Sequence, residues 1–301
     1  MLWGGNFAAI LFLLEELEPL DVIFVRGAGA AFFFGLTLLL FARPLVRPTR
    51  RDALAAVGIG VLGVTVVNVA VVFGQARLPA ALASLIVTSN PIHTALISRA
   101  LIGEPLTRRK VGGIALAFVG LLIVLGFGSV GGEGFGRREV VGVGILAIAP
   151  FSWAFYTVLS KPLLATYPSM QVAAFTTIAG ALPFLTLPLL RPGLLGRVGA
   201  LSGRGWGAAL FVTLISFVLA YVLWYRALRV LTPSETAVYI YLVPVFGLLT
   251  AWVALGERPT AFLLLGGATI LAGVVLTNSG PKRPVAGPAL AAQARTTGAI
   301  H

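Results

Sequence analysis

The sequence predicts an all-α integral membrane protein in which ten transmembrane helices form two inverted five-helix repeats. Three observations carry this. Of 301 residues, 58% are hydrophobic and 11% charged, with mean hydropathy +0.99. A soluble domain carries roughly 25% charged residues, and this chain has too few to cover a water-facing surface. Second, ten apolar stretches approach the ~20 residues that a spanning helix needs. Third, one pattern occurs twice: Pro91 precedes Glu104, and Pro244 precedes Glu257, by the same thirteen residues.

Taken in order, the stretches are 2–17, 22–42, 53–75, 80–102, 109–128, 140–161, 168–190, 205–228, 233–255 and 260–278. The first is short, and no cleavable signal peptide is read in it, because it has no basic n-region and no small-residue cleavage site. Connections are brief, and most contain Pro, Gly or a charge. The expected organisation is a first repeat over 1–128, a linker over 129–139, a second repeat over 140–279 and a disordered tail over 280–301. With the N-terminus placed in the cytoplasm, fourteen of the 22 Lys and Arg lie at inner ends and eight at outer ends. That bias puts both termini inside.

The halves match at Trp3 and Trp153 and again at Pro91 and Pro244. Five spans per half is odd, so the second half enters the bilayer from the opposite side. Inverted repeats place a transport site near the midplane at their interface. Pro91 lies about 11 residues into its segment, about 17 Å at 1.5 Å per residue, near the middle of a ~30 Å core. Proline removes a helical hydrogen bond, which a membrane helix tolerates where neighbours or cavity water satisfy the freed carbonyl. Pro91 and Pro244 are therefore the expected hinges.

Composition excludes several function classes. Cys is absent, and His occurs only at 93 and 301, so thiol chemistry, a His-based metal cluster and a catalytic triad have no residues to build on. An enzyme is not expected, and no cofactor or ATP motif is present. The net charge of +12 reads as topology-setting loops, not as a nucleic-acid surface. The expected partners are the lipid bilayer and a small-molecule substrate, with a monomer as the expected assembly.

Together, Trp3-Gly4-Gly5-Asn6-Phe7, Ala83–Pro91 with Gly103-Glu104-Pro105-Leu106-Thr107, the second copy Ser234–Pro244 with Gly256-Glu257-Arg258-Pro259-Thr260, and the Ala-Leu-Arg run at 227–229 resemble the EamA branch of the drug/metabolite transporter superfamily. The resemblance covers residues 1–280. It implies a ten-helix carrier whose central cavity is lined by helices 1, 3, 4, 6, 8 and 9. It also implies export of small metabolites, most like the amino-acid exporters of bacterial inner membranes.

Candidate substrate-binding residues follow. Asn90 beside Pro91 adds an amide to a kink, which either exposes carbonyls to a polar ligand or is satisfied by the neighbouring helix. His93 lies three residues on, on a neighbouring part of that face. It either couples protons to transport or stays neutral and bonds a Ser or a carbonyl. Trp3, Asn6 and Phe7 share one helix face at i, i+3 and i+4. Trp153 and Tyr156 repeat the spacing, as do Tyr221, Trp224 and Tyr225. Such stripes are either lipid-facing belts or packing, or walls for an apolar or aromatic amino-acid side chain. Tyr239 and Tyr241 sit one turn before Pro244. Asn68 and Gln75 are weaker candidates, since lone amides glue helices.

No carboxylate falls in mid-membrane, which argues against cationic-drug/proton exchange. Arg26 and Arg99 are the deepest strong cations, and both are expected to snorkel toward an interface. The pairs Gly58/Gly60, Gly112/Gly113 and Gly266/Gly267 predict close helix packing. The function expected is alternating-access export of neutral or aromatic amino acids, with a nucleotide-sugar or drug carrier on the same scaffold as the alternative.

Overall fold

The computed structural model describes residues 3–41, 45–78, 83, 86–126, 137–246 and 261–279. The second motif copy at 256–260, most of the expected linker and the tail from 280 lie outside them. All described elements are helical. We label them α1 (Asn6–Glu16), α2 (Pro19–Phe41), α3 (Arg50–Gln75), α4 (Asn90–Ile102), α5 (Arg108–Gly126), α6 (Arg137–Thr166), α7 (Ser169–Leu190), α8 (Gly203–Val230), α9 (Pro233–Ala237, continued by a 3-10 turn Val238–Tyr241) and α10 (Ala261–Asn278). A short helix, Leu194–Gly199, joins α7 to α8. Among the described residues, α2, α3, α6, α7 and α8 are long and apolar enough to cross a membrane. Side chains such as Phe32, Leu39, Leu54 and Leu189 stand exposed on them, the surface expected against lipid and not against water.

Local sequence sets the helix ends. Thr49 caps α3, its hydroxyl accepting from the Asp52 amide at 3.1 Å. Thr232 and Glu235 form a reciprocal capping box around Pro233 at the start of α9. Gly103 closes α4 at φ +67°, a left-handed turn that favours glycine. Lys161 on α6 donates to the carbonyls of Leu228 at 2.6 Å and Leu231 at 2.8 Å. It thereby caps the C-terminus of α8, where a cation suits the helix dipole.

Both expected proline sites are interruptions, not bends within unbroken helices. The chain turns at Ser89, and α4 starts afresh at Asn90 with Pro91 in its first turn, where the missing N–H costs nothing. Before Pro244 the chain tightens into the turn Val238–Tyr241 and then resumes as helix over 242–246. Two π-helical stretches, Val61–Val66 in α3 and Phe211–Leu219 in α8, have no counterpart in the sequence expectations.

The packing forms one large core drawn from α1, α2, α3, α6, α7, α8 and α9, and a smaller one joining α4, α5, α9 and α10. Glycine brings helices together at particular crossings. A methyl at Gly60 would meet the Thr176 carbonyl on α7, and one at Gly113 would meet Thr277 on α10. Of the expected packing glycines, Gly58 faces open space and Gly112 barely reaches a neighbour, so only one member of each of those two pairs makes the close approach.

The halves are tied at both ends. At one end Asp21, fully buried, accepts from Arg197 at 2.7 Å and from Arg191 at 3.2 Å, and Glu16 accepts from the Ser202 amide at 2.8 Å. At the other, Lys110 pairs with Glu104 at 2.8 Å and Glu235 at 3.1 Å, and Glu104 also accepts from the hydroxyls of Ser98 and Ser234. Burial pushes the Glu104 carboxyl up. The donors Lys110, Ser234, Ser98 and Thr232 outweigh that and hold it below its ordinary value.

Candidate functional site

Between these clamps lies a cavity lined by Trp3, Asn6, Phe7, Arg26, Val67, Val71, Val87, Thr88, Asn90, Ala149, Pro150, Trp153, Ser216, Phe217, Tyr221, Ile240 and Val243. About 90 Å³ of it is open to the centres of water molecules, room for several waters at roughly 10–15 Å³ each. Any solute there touches walls from both halves of the chain.

The three aromatic stripes converge. Trp3 packs edge-on to Trp153 at 5.3 Å between ring centroids and lies 5.4 Å from Trp224. Trp153 reaches Tyr156 at 5.0 Å and Tyr221 at 5.2 Å, and Phe217 stacks on Tyr221 at 4.8 Å. These are favourable aromatic spacings. The π-helical stretches bind the cluster: the Trp3 indole N–H donates to the Ser216 carbonyl at 2.8 Å, and the Tyr221 hydroxyl to the Gly63 carbonyl at 3.4 Å. Irregular helix frees carbonyls, and ring N–H and O–H groups take these two.

The other candidates divide. Asn90 lines the cavity with its amide engaged by the protein: Nδ2 donates to Pro150 O at 2.9 Å and Oδ1 accepts from Thr94 at 3.1 Å. Asn68 and Gln75 face neighbouring helices, donating to Ile23 O at 3.4 Å and Phe7 O at 2.6 Å. His93 is half-buried outside the cavity wall, 4.0 Å from the Phe151 ring. Tyr156 is fully buried behind Trp153. Trp224 and Tyr239 line a separate side groove that meets Trp3 from behind, and Tyr239 is 43% exposed. Tyr241 points into the small core, 6.3 Å from Phe118. Pro91 and Pro244 are both buried, each next in the chain to a lining residue, Asn90 and Val243.

Arg26 corrects the sequence reading. It does not snorkel to an interface: it is 6% exposed, in the cavity wall, with its guanidinium 5.4 Å from the Phe217 ring centroid. Among the described residues its Nε and Nη1 have no hydrogen-bond partner, and it is the one charged residue of the described cavity lining. It brings α2 into a wall that the family resemblance does not assign to that helix. The available signal was its depth, seven residues or about 10 Å past the start of α2, since an intramembrane ionisable residue is a functional candidate by default.

The EamA-like transporter family model matches residues 1–126 and again residues 140–279. The chain belongs to the EamA-like transporter family. It is therefore a multi-pass membrane transporter and not an enzyme. It is similar to an uncharacterized transporter of Archaeoglobus fulgidus, 29% identical over 93% of this chain and 94% of that one. A probable terminal-alkyne amino-acid exporter of Streptantibioticus cattleyicolor is 30% identical over 92% and 89%. A probable amino-acid metabolite efflux pump of Escherichia coli is 27% identical over 92% and 91%. A solved crystal structure shares the fold with a TM-score of 0.74 at 21% identity, covering 92% of this chain and 93% of that chain.

Proposed function

We propose that this EamA transporter exports neutral or aromatic amino acids by alternating access through the central cavity. The observation that carries the reading is the meeting of Trp3, from the turn before α1, with Trp153 of α6 and Phe217 and Tyr221 of α8 around one small space. Apolar and ring-bearing side chains gain contact there, and polar groups set orientation. Relatives named for amino-acid export at 27–30% identity support it.

The proposal includes the architecture of two inverted five-helix repeats, both termini in the cytoplasm and residence in a bacterial inner membrane. The two family matches and the paired end clamps support that arrangement. Opening one clamp while the other holds would expose the cavity to one side at a time. A sugar-nucleotide carrier would have to balance two or more negative charges, whereas Arg26 is the one cation of the described wall.

The test is counterflow in liposomes. Purified protein preloaded with unlabelled L-phenylalanine accumulates labelled L-phenylalanine if the reading holds. Accumulation of a labelled sugar nucleotide, with no movement of amino acids, would replace it with the alternative carrier.

A further inference from the structure

We infer that Arg26 and Asn6 form a zwitterion-reading pair, Arg26 taking the carboxylate of the transported solute and Asn6 its ammonium. The inference rests on the cavity being the transport site. It follows from which wall atoms lack partners. Among the described lining residues, four buried polar atoms have none: Arg26 Nε, Arg26 Nη1, Trp153 Nε1 and Asn6 Oδ1. Three are donors and one is an acceptor. Buried polar atoms ordinarily find partners, so this concentration in one small space marks a site that a ligand completes.

The complement of that set is specific. A carboxylate only accepts, and a guanidinium binds it through two parallel N–H bonds. An ammonium only donates, which suits the Asn6 oxygen, with the negative ring faces of Trp3 and Tyr221 as further attraction. One unpaired guanidinium balances one negative charge. A phosphate ester or a sugar nucleotide would leave charge uncompensated, and a cationic amine without a carboxylate would meet Arg26 as a like charge. Phe217 under the guanidinium holds it as part of the cavity wall. The occupant is therefore a monocarboxylate, best an α-amino acid.

The experiment uses the full chain in detergent and in liposomes, with four probes that share one ring: L-phenylalanine, L-phenylalanine amide, phenethylamine and 3-phenylpropionate. Inorganic phosphate is the fifth. Binding is read as ligand-induced thermal stabilisation, and transport as competition with labelled L-phenylalanine. The expected wild-type result is that L-phenylalanine binds at least tenfold more tightly than its amide and than phenethylamine, as loss of hydrogen bonds to a charged group implies. 3-Phenylpropionate keeps the carboxylate preference, and phosphate binds weakly. Arg26→Gln removes the discrimination between acid and amide, and Arg26→Lys restores part of it. Asn6→Leu weakens L-phenylalanine more than 3-phenylpropionate.

Equal affinity of the wild type for acid and amide overturns the inference without needing any variant to fold. So do phosphate binding as tight as the carboxylates, and absence of binding by every carboxylate. The two proposals fail separately. Transport of L-phenylalanine that is indifferent to Arg26→Gln sinks the Arg26 role and leaves the exporter standing. Arg26-dependent binding of 3-phenylpropionate, with no transport of any amino acid, sinks the exporter and leaves Arg26 standing.

Discussion

The indole N–H of Trp3 donates to the main-chain carbonyl of Ser216 at 2.8 Å, joining the start of the first helix to the π-helical stretch of the eighth. This bond spans the two halves at the cavity wall and fixes the ring that Trp153 and Trp224 pack against. Trp3→Phe keeps an aromatic ring and loses the bond. We expect a stability cost of about 1 kcal/mol, read by thermal unfolding in detergent, with transport retained. Trp3→Ala also removes the ring contacts, and substrate affinity should fall by about tenfold.

Asn90 is a structural joint more than a ligand group, because both ends of its amide are already bonded, to Pro150 and Thr94. Asn90→Ala should lower stability by about 1–2 kcal/mol and change substrate affinity less than Trp3→Ala does. Parallel unfolding and binding measurements on the two variants check the order.

The Glu104–Lys110–Glu235 cluster predicts an acid-sensitive clamp. The Glu104 pKa is depressed on folding, so its contribution is present above the ordinary carboxylate value of 4.5 and is lost as pH falls through the lower folded value. Glu104→Gln leaves Lys110 paired with Glu235 alone and should cost about 1.5–3 kcal/mol at neutral pH, the worth of a hydrogen bond to a charged group. It should also flatten the loss of stability below about pH 4.5. In the double variant Glu104→Gln with Lys110→Met the costs should add to less than their sum.

His93 stands outside the cavity wall, packed on Phe151. His93→Gln should leave the pH dependence of transport unchanged between about pH 5 and 8, measured as counterflow in liposomes. A flattened profile would return His93 to the transport cycle.

Much of this was legible in the sequence, for physical reasons. The aromatic stripes were found because the α-helical period places i, i+3 and i+4 on one face, and the structure brings Trp3, Trp153 and Tyr221 together. The proline positions were visible because Pro has one local effect wherever it stands. Helix interruption in place of bending was not, because it depends on how the segments before Asn90 and Pro244 pack. The π-helical stretches Val61–Val66 and Phe211–Leu219 carry ordinary apolar residues, and their partners Trp3 and Tyr221 lie far away in the chain. Arg26 was visible by depth, but its direction was not: a long side chain reaches an interface or a cavity with equal ease from one backbone position. Tyr239 is re-aimed by the 3-10 turn Val238–Tyr241, whereas His93, three residues past Asn90 in the same helix, is rotated by about 60° from it and packs on Phe151.

The central claim is that one cavity opens alternately to the two sides of the membrane. The chain has no cysteine, so a single cysteine placed at Val71 or at Val243, one from each half of the wall, reports access without background. Membrane-impermeant maleimide applied to vesicles of either orientation should label both positions from both sides. Saturating L-phenylalanine should slow that labelling, while a cysteine at the outward-facing Leu189 stays indifferent to it. Labelling from one side only, unaffected by solute, would contradict the account.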